Sequence, residues 1–161
     1  MRIGVVSDTH DHLGNVHRIV GLFNAARVER VVHTGDITQP KTLEVLAGLE
    51  APLVGVYGNN DQERQALGAA ARRHGIALAD PPLELHWAER RILVVHDPSD
   101  LGDALQDHHE VALHGHNHER VLERRGGCLV FNPGECAGHL AGRNAVGVLD
   151  LVRLETELLR F

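Results

Sequence analysis

The sequence predicts an α/β fold, and three observations support this prediction. Short apolar runs alternate along the chain with amphipathic stretches whose apolar residues recur at helical spacing. The first run, residues 3–7, is almost continuously apolar, as expected for a strand buried on both faces. The last third contains short strand candidates joined by Gly-rich turns. The first half therefore favours parallel βαβ units, and the end favours antiparallel strands.

Each predicted element has its own signal in the chain. Apolar residues spaced three or four apart from Leu13 to Ala26 predict the first helix. Thr38 is predicted to cap a second helix that has Pro40 in its first turn. A third helix is expected over residues 62–74 because Gly75 suits its C-terminal end, and a short helix is expected over residues 101–107. The other strands are expected at residues 30–34, 53–56, 91–96, 110–114, 121–122, 128–131, 145–151 and in the tail to residue 161.

Length and composition narrow the class of function. A chain of 161 residues is expected to form a single domain over residues 1–161. Its formal net charge of −6 argues against a broad, sequence-independent binder of nucleic acid. No run approaches the roughly 18 apolar residues of a membrane span, and no signal peptide is evident. We therefore expect a cytoplasmic location and no membrane partner. Cys128 and Cys136 do not form a disulfide framework or a CxxC motif.

Histidine is the unusually frequent residue, with 13 in the chain. It is the commonest metal ligand and a frequent proton carrier, so its placement matters. We interpret the adjacent His108 and His109 as surface residues. His33 is interpreted as packed within a strand, and His114 is left outside the site.

Polar candidates for a site follow the predicted strands directly. In open α/β sheets, sites form in the crevice beyond the carboxyl ends of the strands. Five separate strand ends are therefore expected to deliver carboxylate, amide and imidazole groups to one common edge. The seven candidates are Asp8, His10, Asp36, Asn59, His96, His116 and His118.

These residue types favour a divalent metal centre. Carboxylate, amide and imidazole groups suit borderline ions such as Mn²⁺, Fe²⁺, Co²⁺, Ni²⁺ and Zn²⁺. The absence of a cysteine set argues against a structural zinc site. Seven ligands are too many for one ion with an open position, but they suit two ions about 3.5–4 Å apart that share a carboxylate. A mononuclear histidine hydrolase would leave Asp36 and Asn59 without clear tasks.

As a set, these positions resemble the signature of the calcineurin-like metallophosphoesterases. The matching motifs are Asp8-x-His10, Gly35-Asp36, Gly58-Asn59-x-Asp61, His96 and Gly115-His116-x-His118. The resemblance runs from Met1 to about Leu151, and the compact length points to the small bacterial and archaeal phosphodiesterase branch, which is related to the retromer scaffold subunit. It implies a four-layer α/β/β/α sandwich of two mixed sheets flanked by helices. The turn Asn132-Pro133-Gly134 either resembles a further family turn near the site or is a plain tight turn.

The resemblance also implies which residues hold each ion. Two divalent ions are expected, with Mn²⁺ favoured and Fe, Ni, Co or Zn as alternatives. Asp36 would bridge the two ions. The first ion would be held by Asp8, His10, Asp36 and His118, and the second by Asp36, Asn59, His96 and His116.

Two positions depart from the family pattern. Many members carry a histidine directly after the motif asparagine, where it protonates the leaving group. Here Asn60 stands at that catalytic position, and its amide is not a general acid near neutral pH. Tyr57 stands where some members have an arginine, so one phosphate-binding charge is missing. His12 is the nearest replacement acid in sequence, although a surface-loop role is the simpler interpretation for it.

Asp61 is the second residue assigned to catalysis. One interpretation is that it orients neighbouring groups around the metals. The other is that it caps the helix expected from residue 62, and the two roles are compatible.

The expected function is hydrolysis of small or activated phosphodiesters, or of nucleotide-like substrates, by attack of a hydroxide that bridges the two ions. A phosphomonoesterase acting on a nucleotide or phosphoprotein is one alternative, because both reactions use the same metals. A non-catalytic scaffold like the retromer subunit is the other. The resemblance further implies a homo-oligomer, either a dimer or a tetramer.

Overall fold

The computed structural model describes residues 1–161, and its eleven strands form two mixed sheets. The first sheet has the order β11-β10-β1-β2-β3-β4, and the second has the order β5-β6-β7-β9-β8. The strands are β1 (Arg2–Val6), β2 (Arg30–His33), β3 (Leu53–Val56), β4 (Ala77–Ala79), β5 (Leu83–Trp87), β6 (Arg90–Val94), β7 (Val111–Leu113), β8 (Val121–Arg125), β9 (Cys128–Asn132), β10 (Ala145–Asp150) and β11 (Glu155–Arg160).

Four helices lie on the outer faces of the two sheets. They are α1 (Leu13–Ala26), α2 (Pro40–Leu46), α3 (Arg64–Arg73) and α4 (Leu101–Ala104), the last preceded by a 3-10 turn at Pro98–Asp100. The first three cover the six-stranded sheet and the fourth covers the five-stranded sheet. None of these helices has the length and apolar character needed to cross a membrane.

Alternation along β1 shows how the layers are built. Ile3 and Val5 belong to the apolar core between the two sheets, whereas Val6 packs on the other face with Phe23 of α1. Gly4 permits this close packing, because a Cβ there would lie 2.8 Å from the Phe23 ring. A third, smaller core joins the second sheet to Leu101 of α4. The predicted four-layer α/β/β/α sandwich is therefore confirmed.

Strand direction brings the chain's polar segments to one edge. Strands β1, β2, β3 and β4 are parallel, as are β6, β7 and β9, while β10, β11, β5 and β8 pair antiparallel. The segments after β1, β2, β3, β6 and β7 thus leave the sheets on the same side. The expectation of parallel pairing in the first half is confirmed. In the last third β8, β10 and β11 pair antiparallel as expected, but β9 also pairs parallel with β7.

Several predicted element boundaries are wrong. Thr38 does not cap α2: it has a positive φ of 70°, and Gln39 precedes the first helical residue. The third helix begins at Arg64, two residues later than predicted, and α4 spans four residues because its chain turns extended at Leu105. Two short strands, β4 and β5, were not predicted.

Candidate metal centre

Left-handed backbone conformations shape the loops that follow the strands. Positive φ is uncommon outside glycine and costs about 1–3 kcal/mol per residue where the structure enforces it. Five of the seven predicted ligands adopt it, namely Asp8, His10, Asp36, His116 and His118. Strain concentrated in this way indicates loops shaped for a site and not for the stability of the fold alone.

Two glycines allow these loops to approach each other. A Cβ at Gly58 would overlap the Asp36 carboxylate, and a Cβ at Gly115 would overlap Ser7 Oγ. Both glycines therefore leave room that any other side chain would fill. Gly58 lets the loop after β3 approach the loop after β2, and Gly115 lets the loop after β7 approach the loop after β1.

The first group of side chains surrounds Asp8. His10 Nε2 lies 3.8 Å from Asp8 Oδ1, and His118 Nε2 lies 3.6 Å from the same oxygen. Asp8 Oδ1 and His10 Nε2 are buried without a hydrogen-bond partner. The other oxygen, Asp8 Oδ2, accepts hydrogen bonds from Ser7 Oγ at 2.5 Å and from the His116 backbone N–H at 3.0 Å.

The second group surrounds Asn59. Its Oδ1 lies 2.9 Å from His96 Nε2 and 3.0 Å from His116 Nδ1. The two imidazole nitrogens are 3.3 Å apart. His96 Nδ1 lies 2.9 Å from the Thr34 carbonyl, so it carries the proton and Nε2 presents a lone pair in the neutral ring. Asn59 Oδ1 and His96 Nε2 are therefore two acceptors in contact, and His116 Nδ1 is a third when its ring carries the proton on Nε2. A cation stabilises such a cluster of acceptors.

Asp36 lies between the two groups. Its Oδ2 is 3.3 Å from His10 Nε2, and its Oδ1 is 3.5 Å from His96 Nε2. Asp36 is 1% exposed. Asn60 donates to both oxygens at 2.9 Å, from its backbone N–H to Oδ1 and from its amide to Oδ2. One carboxylate therefore faces each group with a different oxygen.

These contacts shift the pKa values of the site. Burial opposes ionisation of Asp36, but the His10 and His96 rings beside it and the two hydrogen bonds from Asn60 hold the pKa of its carboxyl well below the usual range. The Asp36 and Asp8 carboxylates beside Nε2 raise the pKa of His10 to about 9. The metal-free site consequently combines ionised carboxylates with a protonated His10 at neutral pH. A divalent cation could replace that proton.

Asp61 does not cap a helix, so that interpretation is wrong. Its Oδ2 accepts the backbone N–H groups of Asp36 at 3.0 Å and Gly58 at 2.6 Å, and its Oδ1 accepts that of Thr38 at 2.6 Å. The residue preceding α3 is Glu63, which makes no side-chain cap. Asp61 instead joins the loops that carry the two groups.

Glu135 is a site residue that the sequence analysis missed. It is fully buried, and its Oε2 lies 3.0 Å from His118 Nδ1 while its Oε1 accepts the Leu140 backbone N–H at 2.7 Å. The carboxylate places the His118 proton on Nδ1 and turns Nε2 toward Asp8. The available signal was the neighbouring turn at residues 132–134, for which a family turn near the site is one of the two interpretations given above.

That turn braces the loop after β7. The Asn132 amide donates to the Gly115 carbonyl at 3.3 Å and to Asn117 Oδ1 at 2.9 Å. Asn132 Oδ1 accepts the Gly134 backbone N–H at 2.9 Å, so the turn is also tight. Both interpretations of this motif are consistent with the structure.

Of the remaining histidines, His139 lies against the first group, with its ring 5.4 Å from that of His10 and stacked 5.3 Å from that of His118. The others lie outside the two groups. His33 and His114 are buried, as the sequence analysis expected for His33. His12 precedes α1 and accepts the Asn15 backbone N–H at its Nδ1. His109 is 3% exposed, so its assignment to the surface is wrong; its ring packs on His108, and its Nε2 lies 3.3 Å from Glu84 of β5.

The fold and the site together define a metal-binding enzyme of the phosphoester hydrolase class. Residues 1–154 match the family described as the calcineurin-like phosphoesterase superfamily domain. The chain belongs to this superfamily, and the resemblance read from its motifs is confirmed.

Similar proteins cover almost the whole chain. Phosphodiesterase MJ0936 of Methanocaldococcus jannaschii is 35% identical over 159 residues, which are 96% of each chain. A solved structure of an archaeal phosphodiesterase superposes with a TM-score of 0.93 and 34% identity over 100% of both chains. Vps29 from Entamoeba histolytica has a TM-score of 0.71 but 17% identity, covering 100% of this chain and 99% of its own, so it shows the shared fold alone.

Proposed function

We propose that this chain is a cytoplasmic phosphodiesterase that hydrolyses small phosphodiesters with two divalent cations, Mn²⁺ by preference. The observation that carries the proposal is the Asp36 carboxylate, which faces His10 with one oxygen and His96 with the other. A carboxylate shared in this way is the feature that distinguishes a paired site from two separate ones.

The ligand chemistry fits two cations. We assign the first cation to the group around Asp8 and the second to the group around Asn59, with Asp36 belonging to both. A cation beside Asp8 Oδ1 and His10 Nε2 would give these buried, unpartnered atoms a ligand role. The first set is Asp8, His10, Asp36 and His118, and the second set is Asp36, Asn59, His96 and His116.

The cations, when bound, supply Lewis acidity at the phosphate and lower the pKa of a nucleophilic water. The chain's own residues position this chemistry. Asp61 fixes the backbone of Asp36 through the hydrogen bond at 3.0 Å, and Glu135 fixes the ring of His118. Both contacts lie behind the predicted ligands, where they orient them.

Asn60 disfavours substrates with poor leaving groups, monoesters of that kind among them. Its amide donates to Asp36 and carries no proton that it could transfer to a leaving group near neutral pH. Substrates whose leaving groups need no protonation are therefore preferred. This is consistent with the phosphodiesterase name of the relative that is 35% identical. The monoesterase alternative would require an acid from elsewhere, and the scaffold alternative leaves seven convergent ligand groups without a task.

The test compares two chromogenic substrates on the manganese-loaded protein: bis(p-nitrophenyl) phosphate and p-nitrophenyl phosphate. We expect kcat/KM for the diester to exceed that for the monoester by about tenfold or more, which corresponds to about 1.4 kcal/mol. Chelation should abolish both activities, and added Mn²⁺ should restore them. Faster monoester hydrolysis, or activity that survives complete metal removal, would contradict the proposal.

A further inference from the structure

We propose that a basic cavity beside His118 binds a second phosphate of the substrate, so that the preferred diesters carry an additional phosphate on one arm. This inference rests on the proposed phosphodiesterase function and names its substrate class. The basic cavity has a volume of about 710 Å³. Its wall includes His118, Glu119, Arg120, Gly134, Arg143 and Arg160.

The cavity begins at the candidate metal centre. His118 forms part of its wall and also places Nε2 3.6 Å from Asp8 Oδ1. Gly134 in the wall belongs to the turn that braces the loop of His118. The cavity and the metal centre therefore share His118, so a ligand whose phosphodiester lies at the metal centre would have the cavity next to it. The volume is within the range of about 300–1,000 Å³ that holds small organic ligands.

Three arginines from separate segments supply the charge of this cavity. Arg120 precedes β8, Arg143 precedes β10, and Arg160 ends β11. None of the three guanidinium groups lies within 4.0 Å of a carboxylate, and none donates a hydrogen bond within the chain. By contrast, Arg64 and Arg90 both pair with acidic side chains.

The local charge opposes that of the whole chain. Glu119 is the one acidic residue in the wall, so three arginines and one glutamate leave a formal charge of +2. The complete chain carries −6. Gathering unpaired guanidinium groups in one cavity costs repulsion that a bound anion relieves. Guanidinium groups also match phosphate oxygens in a forked geometry, which favours phosphate as the occupant.

The side of the site that carries Asn59 and His96 is acidic, unlike the basic cavity. A smaller cavity of about 220 Å³ is lined by Asn59 and His96 together with Asp97 and Asp100. Its one arginine, Arg64, already pairs with Asp80 and donates to the Asp61 carbonyl at 2.8 Å. This side therefore disfavours a second anion. The two cavities predict a substrate with one phosphorylated arm and one uncharged arm.

The test uses two deoxydinucleotides with the same internal diester, one with a 5′-terminal phosphate and one without. On manganese-loaded protein, we expect KM to be about tenfold lower for the phosphorylated dinucleotide, equal to about 1.4 kcal/mol. In the double variant Arg143→Gln and Arg160→Gln, this ratio should fall to near one. The matched control is Arg153→Gln, an exposed arginine near Glu155, which should keep the ratio.

Three results would overturn the inference. These are equal KM values for both dinucleotides, a penalty for the terminal phosphate, and a preference that persists in the double variant. If the chromogenic diester is cleaved but neither dinucleotide is, each dinucleotide is tested as an inhibitor of that cleavage. The ratio of the two inhibition constants then replaces the ratio of the two KM values. If no diester is cleaved, the proposed function fails, and dissociation constants of the two dinucleotides from calorimetry test the cavity separately.

Discussion

The carboxylate of Asp61 accepts the backbone N–H of Asp36 over 3.0 Å, and this hydrogen bond joins the loops after β2 and β3. Asp61 is 1% exposed and also accepts N–H groups from Gly58 and Thr38. Burial raises the pKa of its carboxyl, and the hydrogen bonds from the backbone counteract that increase. The hydrogen bond to Asp36 helps hold that residue at a φ of 59°, where its side chain meets both groups of predicted ligands.

Replacing Asp61 with asparagine should weaken both the fold and metal binding. The new amide would place N–H donors against backbone N–H groups, and a buried donor left without an acceptor costs about 1–3 kcal/mol. We expect the free energy of unfolding in urea to fall by about 2 kcal/mol and Mn²⁺ affinity to fall about tenfold. Asp103→Asn, at an exposed site on α4, is the control. If Asp61→Asn leaves both the free energy of unfolding and the Mn²⁺ affinity unchanged, Asp61 has no positioning role.

Asp36→Ala should abolish hydrolysis of the chromogenic diester. Alanine removes the one carboxylate that faces both groups, so the geometry of both cations is lost. We expect kcat/KM to fall at least about a hundredfold, or about 2.7 kcal/mol. Circular dichroism should show the same helix content as the parent protein. Near-parental hydrolysis by a folded Asp36→Ala variant would refute the shared-carboxylate arrangement.

Asn60→His tests the missing general acid. An imidazole at this position can protonate a poor leaving group, and such proton transfer contributes about 10²–10⁴-fold in enzymes. We expect the ratio of kcat/KM for an alkyl phosphate monoester, whose leaving group is poor, to kcat/KM for the chromogenic diester to rise at least about tenfold. Asn60→Ala serves as the control, because it removes the hydrogen bond to Asp36 without adding an acid. A ratio that does not rise above that of Asn60→Ala would contradict the assignment.

Glu135→Gln should lower metal affinity through His118. The amide keeps the size of the side chain but weakens the contact that orients the imidazole, and losses of this kind are about 10–100-fold in metal affinity. Mn²⁺ dissociation constants measured by calorimetry provide the readout, and Glu29→Gln at an exposed position is the control. An affinity equal to that of the parent protein would show that His118 needs no such support.

The pKa of His10 predicts how metal binding depends on pH. The neighbouring Asp36 and Asp8 carboxylates raise this pKa to about 9, so in the metal-free protein His10 remains protonated at neutral pH. Because a cation must displace that proton, apparent Mn²⁺ affinity should rise up to about tenfold per pH unit from pH 7 and level off above about 9. Calorimetry in two buffers of different ionisation heat should detect the released proton. Affinity that is flat between pH 7 and 9 would contradict the prediction.

The raised pKa of His10 also makes the stability of the metal-free fold depend on pH. Protonated His10, beside Asp36 and Asp8, contributes to the free energy of unfolding. This contribution is complete below the ordinary histidine pKa of about 6.5 and is lost as the pH rises through about 9. The same groups therefore favour the fold at low pH and metal binding at high pH.

The candidate site was predictable because its first polar motifs directly follow strands that lie parallel in one sheet. Once β1, β2 and β3 were expected to be parallel, Asp8, Asp36 and Asn59 had to meet at one edge. This inference needs only the order and direction of the strands, and no knowledge of side-chain contacts. The alternation of Leu83, Leu85 and Trp87 likewise carries a strand signal, but β5 follows two prolines and was overlooked.

Residues whose role depends on distant partners were not predictable in this way. Glu135 is a lone carboxylate in a Gly-rich turn, and only the folded chain brings it to His118. His109 stands in a polar stretch, and only the folded chain places it beside Glu84 of β5. Thr38 has the right residue type for a cap, but the hydrogen bond from its N–H to Asp61 holds it in a left-handed conformation.

Manganese binding followed by electron paramagnetic resonance tests the pairing of the cations most directly. The account predicts two Mn²⁺ per chain with the exchange-coupled spectrum of adjacent ions, because Asp36 faces both groups. In Asp36→Asn, the coupling should disappear. One Mn²⁺ per chain, or two ions with independent six-line spectra in the parent protein, would contradict the account.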